Sequence, residues 1–193
     1  MYKLCKTEQS ALRQRQLEEG LLLIMSSTSY DEITISDLCQ QLEIPRKSFY
    51  RYFTSKDGAL HALIDHTLME FESFAYPSKP GEKRSLQRDL EKFFLFWKNH
   101  RPLLDALQRS GLSGVLIERA INYSLSDVVF PGKFLPDESR WMQEHVVMFS
   151  VCGLMSMTLQ WHRDGYQQEI TDMARVAVRT LTCPLFSNAG KMI

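Results

Sequence analysis

Residues 34–56 read T-I-S-D-L-C-Q-Q-L-E-I-P-R-K-S-F-Y-R-Y-F-T-S-K, and two short helices joined by a minimal turn account for the whole stretch. Thr34 precedes a periodic apolar run (Ile35, Leu38, Cys39, Leu42), with Asp37 three residues on in a capping-box-like spacing. The first helix is expected over about 35–41. Glu43 and Ile44 make a tight connection to Pro45, which suits the first turn of a helix because its missing N–H has no partner there anyway. The second helix is expected over about 45–52, and the pair has the form of a helix-turn-helix.

Charge concentrates on the second of these helices. Between residues 45 and 56 stand Arg46, Lys47, Arg51 and Lys56 with no acid, whereas Lys+Arg and Asp+Glu balance at 23 each over the chain. A basic footprint for nucleic acid is therefore local. Arg46 and Lys47 lie at the helix end that enters a major groove, where long donors reach guanine O6 and N7. Ser48 and Thr34 offer hydroxyls that set register on phosphates. Tyr50 and Tyr52 each join a packing ring to a phosphate-directed hydroxyl, and Lys56 extends the contact from the next helix. Taken alone, the same pattern also describes a solvated basic face over an aromatic core.

Outward from this stretch, Leu12, Leu17, Leu21, Leu22 and Ile24 recur at helical intervals over residues 8–25, before a serine-rich turn at 26–29. After Thr54, Ser55 can cap a fourth helix carrying Leu60, Leu63, Ile64, Leu68, Phe71 and Phe74, which ends before the P-S-K-P-G of residues 77–81. Further helices are expected at about 85–98, 101–109, 112–126, 137–164 and 167–182, punctuated by Pro102, Gly111, Pro131-Gly132 and Gly165. No strand alternation or repeat interrupts the pattern, so the fold expected is all-α with about nine helices. The division expected is a helix-turn-helix domain at 1–54, a connecting helix at 55–76 and a helical domain at 77–193.

The whole chain sets bounds on function. Its 193 residues, 44% hydrophobic and 24% charged, suit a soluble globular protein. Cys5, Cys39, Cys152 and Cys183 are scattered without a C-x-x-C pair, which disfavours zinc and disulfides and fits reduced thiols in the cytoplasm. Residues 1–10 carry no export signal. Residues 146–159, the longest apolar stretch, include Ser150, Gly153, Ser156 and Thr158 and fall short of the roughly 18 apolar residues of a membrane span, so no membrane partner is expected. His61 and Asp65, one turn apart beside His66, have metal-like spacing, but no further Cys or His completes a site. With no phosphate loop and no nucleophile motif, neither cofactor nor catalysis is expected.

Residues 30–60 resemble the DNA-binding domain of the TetR family of transcription regulators, most specifically in F-Y-x-Y-F-x-S-K-D at residues 49–57, and the likeness extends over about 8–62. The resemblance implies phosphate contacts from Thr34, Tyr50, Tyr52 and Lys56, base and backbone contacts from Arg46, Lys47 and Ser48, and core positions for Phe49 and Phe53. Two residues depart from the pattern: Glu43 stands where the family often has Gly, and Cys39 where it often has Ala. Also implied is a homodimer on a pseudo-palindromic double-stranded operator with half-sites about one helical turn apart. Such a protein is usually a repressor, released by an unidentified small-molecule effector in its C-terminal domain.

In that domain, Met142, Val146, Phe149, Gly153 and Met157 cover most of the 137–164 helix, so burial on more than one side is expected, with one side left for a second subunit. Phe149, Gly153, Met157, Met173, Ala177 and Leu181 are the candidate dimer interface. Phe93, Phe96, Trp97, Trp141, His145 and Met148 are candidates for an effector cavity, and a filled core is the equal alternative. Two other functions stay open: a protein-interaction bundle using the helix-turn-helix as scaffold, favoured by Glu43 and the neutral charge, and a small-molecule-binding enzyme.

Overall fold

A computed structural model of the chain describes residues 2, 3, 5, 7–75, 85–126 and 139–182. The boundary at 77–81, the Pro131-Gly132 break and Cys183 lie outside them. Among the described residues there are nine α-helices: α1 (Glu8–Met25), α2 (Ile35–Gln41), α3 (Arg46–Tyr52), α4 (Lys56–Ala75), α5 (Leu86–Asn99), α6 (Arg101–Arg109), α7 (Ser113–Ser124), α8 (Arg140–Arg163) and α9 (Ile170–Thr182). A 3-10 turn at Tyr30–Glu32 links α1 to α2. The only β pairing among the described residues is an isolated bridge between Tyr2 and Phe53.

Hydroxyl caps start several helices. Thr7 Oγ1 accepts from Ser10 N at 3.2 Å, Ser55 Oγ from Gly58 N at 3.1 Å and Ser139 Oγ from Met142 N at 3.3 Å. Each satisfies one of the four N–H groups a helix start leaves open. Pro102 occupies the first turn of α6.

Two apolar clusters hold the helices together. The larger is continuous from α1 through the helix-turn-helix to α7 and the C-terminal half of α8, taking in Leu21, Phe49, Ile64, Trp97, Leu104 and Leu159. The smaller joins α5, α8 and α9 around Leu90, Phe94, Trp161, Ala174 and Ala177. Polar contacts also tie the helix-turn-helix to the rest. Arg109 Nη1 at the end of α6 donates to Met25 O at 2.8 Å and also to Ser26 O, and Ser110 Oγ accepts from Tyr30 N at 3.1 Å.

In α8 the burial is one-sided within the chain. Met155, Thr158, Leu159, Trp161 and His162 are buried, while Met142, Val146, Phe149 and Gly153 are exposed. Only Met157 of the expected set packs inward, against the smaller cluster.

Candidate nucleic-acid interface

The site begins at the start of α2. Thr34 Oγ1 accepts from Asp37 N at 3.2 Å and donates to Asp37 Oδ2 at 2.7 Å, while Thr34 N donates to the same oxygen at 2.8 Å. This is a full capping box with Asp as the third residue. The hydroxyl, then the backbone N–H, of Thr34 holds the Asp37 carboxyl below the usual carboxylate range.

Chain reversal happens at Glu43, whose φ of 52° is left-handed. Glycine is favoured there because it has no Cβ to meet the backbone, which explains the expected Gly at this position. Ile44 N then donates to Cys39 O at 2.9 Å, and Ser48 N to Pro45 O at 2.8 Å, closing the turn and opening α3. The turn lies close to α1: a Cβ on Gly20 would stand 2.6 Å from Leu42 Cδ1.

Helix α3 has one inner and one outer face. Phe49 and Phe53 are fully buried with ring centroids 5.2 Å apart, as expected for core residues. Arg46, Lys47, Tyr50 and Arg51 are exposed, and Ser48 is half-buried. Among the described residues Arg46, Lys47 and Arg51 make no ion pair or hydrogen bond. A groove of about 740 Å³ runs between α1 and α3, with Arg13 and Gln16 on one wall and Glu43, Ser48 and Arg51 on the other. Nothing in the sequence pattern singles out Arg13, on α1, because it lies more than 30 residues before α3.

Three of the residues expected at phosphates are engaged within the chain. Tyr52 is buried, because it lies two residues, about 200°, around the helix from the exposed Tyr50. Lys56 turns back from α4: its Nζ donates to Tyr30 O at 2.5 Å and Ile33 O at 2.8 Å and sits 4.1 Å from the Tyr30 ring centroid. Tyr30 in turn donates its hydroxyl to Asp57 Oδ1 at 2.7 Å, so the Lys-Asp pair of the S-K-D motif locks the segment leading into α2. The Thr34 hydroxyl proton is given to Asp37, which makes Thr34 a cap in this structure.

Residues 24–63, from the end of α1 into α4, match the family described as bacterial regulatory proteins, tetR family. The likeness to the TetR family covers this segment of the chain. A TetR-family relative, the HTH-type transcriptional regulator EthR of Mycolicibacterium smegmatis, is 32% identical over 81 residues, 40% of this chain and 37% of that protein. The match thus spans little more than a third of the relative's length. Two solved structures share the fold across most of the chain. The fatty acid degradation regulator FadR of Bacillus halodurans has a TM-score of 0.60 at 14% identity, covering 92% of this chain and 96% of that one. The dihydroxyacetone kinase operon activator DhaS has a TM-score of 0.57 at 16% identity, covering 89% and 94%.

Elsewhere in the chain the six residues expected around an effector divide between core and surface. Phe96 and Trp97 are buried in the main core with Phe93 packed against it, whereas Trp141, His145 and Met148 are exposed on α8. Trp97 Nε1 is buried with no acceptor among the described residues. The expected dimer set also divides. Phe149, Gly153 and Leu181 are exposed, but Ala177 is buried and Met157 and Met173 pack on the smaller cluster, because the other side of α9 rests on α5. Exposed instead are Trp141, Met142, Val146 and Val176.

Two of the metal-like trio are used in other ways: Asp65 accepts from Arg119 and Tyr2, and His66 Nδ1 lies 2.8 Å from Glu18 Oε2. Among the described residues no three His, Cys, Asp or Glu side chains could share a metal ion, and no helix is long and apolar enough to cross a membrane.

Proposed function

We propose that the chain is a transcription regulator that binds a pseudo-palindromic operator as a homodimer, with its N-terminal helix-turn-helix unit on the DNA. The observation that carries this reading is the outer face of α3: Arg46, Lys47 and Arg51 stand exposed beside Tyr50, on a helix fixed by a fully buried phenylalanine pair. A guanidinium or ammonium left without an internal partner is ready for an anion, and its place on α3 makes a nucleic-acid backbone and base edges the fitting partner. Arg46 and Lys47 read bases; Tyr50, Ser48, Arg51 and Arg13 meet phosphates.

The apolar stripe on α8 supports the homodimer. Met142, Val146, Phe149 and Gly153 follow one another at spacings of three and four, and Phe149 is 67% exposed. A second copy covering this stripe and Val176 and Leu181 of α9 removes an apolar surface unusual on a monomer and pairs two α3 helices about a two-fold axis. An effector-responsive repressor is the form of regulation we assign. Its support within the chain is Trp97 Nε1, a buried donor with no acceptor among the described residues, which an effector bearing an acceptor would satisfy. Effector control requires that the ligand bind the DNA-competent and DNA-incompetent states unequally.

The test is replacement of Arg46 and Lys47 by Ala. The account expects loss of specific DNA binding by a protein that keeps its helical content and its dimer. Unchanged specific binding would contradict it, and a reporter placed behind the bound site reads the sign of regulation.

A further inference from the structure

Tyr2 and Lys3, ahead of α1 in the chain, lie against the end of the recognition helix. Lys3 N donates to Tyr52 O at 3.0 Å, and Tyr2 forms an antiparallel bridge with Phe53. Tyr52 is the last residue of α3, so this strap takes up a carbonyl that a helix terminus leaves without an internal donor. The Tyr2 side chain reaches α4, where its hydroxyl donates to Asp65 Oδ2 at 2.8 Å. Asp65 is buried and is held from the far side by Arg119 of α7, whose Nε donates to Oδ1 at 2.7 Å and whose Nη2 donates to Oδ2. Burial, and then the carboxylate acceptor, push the Tyr2 hydroxyl above the ordinary tyrosine range, so it stays a donor across physiological pH. The Tyr2 ring also packs edge-on against His66, 5.8 Å between centroids, and His66 contacts the buried Glu18 of α1.

An unbroken set of contacts therefore runs from α7 through Asp65 and Tyr2 to the C-terminal end of α3. A buried ion pair seldom stabilises a fold more than apolar packing of the same volume, but its geometry is demanding. We infer that Tyr2 and Arg119 are positioning residues for DNA binding: they fix the end of the recognition helix relative to α7, so operator affinity depends on a contact made in the second half of the chain. This rests on the regulator reading above.

The test compares wild type, Tyr2→Phe, Arg119→Lys and the double variant on the DNA fragment that wild type retains, with affinity measured at several salt concentrations. Tyr2→Phe keeps the ring and the backbone bridge, so the fold and dimer persist. Loss of a hydrogen bond to a charged acceptor predicts roughly 10-fold weaker specific binding. The salt dependence should not change, because no phosphate contact is removed. The double variant should lose less than the product of the two single losses, and amide exchange at residues 50–53 should accelerate in either single variant. Wild-type binding matched by both variants overturns this inference alone, as does a shallower salt dependence, which would place the strap on the DNA itself. A wild-type protein that retains no specific fragment overturns the regulator reading and this inference with it.

Discussion

The outer faces of α3 and α8 are opposite in chemistry: α3 exposes Arg46, Lys47 and Arg51, while α8 exposes Trp141, Val146 and Phe149. Each is the uncovered side of a helix whose other side is packed, α3 on Phe49 and Phe53 and α8 on Met155 and Leu159. Cations without partners among the described residues fit a polyanion, and an apolar stripe fits a like surface that excludes water. On the function proposed above, the two faces divide the work between DNA contact and self-association, and the substitutions that separate them are the informative ones.

The largest effect is expected on α8. Phe149→Arg places a charge in the middle of the proposed dimer seam; truncating an interface hot spot costs about 2–4 kcal/mol, so the dimer should dissociate at least about 30-fold more readily. Sedimentation equilibrium reads this, and because each half-site then binds alone, operator affinity should fall while helical content holds. An unchanged dimer would move the interface off this stripe.

On α3 the comparison can be sharpened by salt. Arg13→Ala and Arg51→Ala should each weaken DNA binding about equally on specific and non-specific sequence and lower the salt slope by about 1, the change expected when one phosphate is no longer neutralised. Arg46→Ala and Lys47→Ala should instead relax sequence preference, at about 1–3 kcal/mol for each bidentate hydrogen-bonded pair to a base that is removed. A loss of sequence preference in Arg13→Ala would contradict the assignment of that groove to the backbone.

Smaller effects test how α3 is held. Thr34→Ala removes the cap of α2 and should cost about 1 kcal/mol in thermal unfolding. Because the folded Asp37 carboxyl titrates below its unfolded value of about 3.9, its contribution is present above that pH and is lost as pH falls through the folded value. Wild type should therefore lose stability below about pH 4 more steeply than Asp37→Asn. Glu43→Gly relieves a left-handed residue, worth about 1 kcal/mol or less after the extra unfolded-state freedom of glycine, and should raise the melting temperature slightly.

The helix-turn-helix was legible in the sequence because its signals are local. Thr34, Asp37, Pro45 and the Phe49–Phe53 spacing each specify geometry within a few residues, and even the departure at Glu43 fell where the backbone turns left-handed. Long-range placement was harder to read. Tyr50 and Tyr52 look alike in sequence but face opposite sides of one helix, and Lys56 returns to a carbonyl 26 residues earlier. The Tyr2–Asp65 and Asp65–Arg119 contacts join residues 63 and 54 apart, a distance over which periodicity carries no information. In α8, an apolar pattern around most of the helix could not distinguish a side facing its own core from one left open, and the same ambiguity on α9 is why Ala177 and Val176 exchanged roles.

The central claim, specific DNA binding through α3, is tested most directly by exposing the purified chain to fragmented DNA from its source genome at two salt concentrations and footprinting what it retains. The account predicts a two-fold symmetric footprint, with half-sites about one helical turn apart and an affinity that falls steeply with salt. An intact dimer, free of bound effector, that retains no specific fragment at either concentration would contradict it.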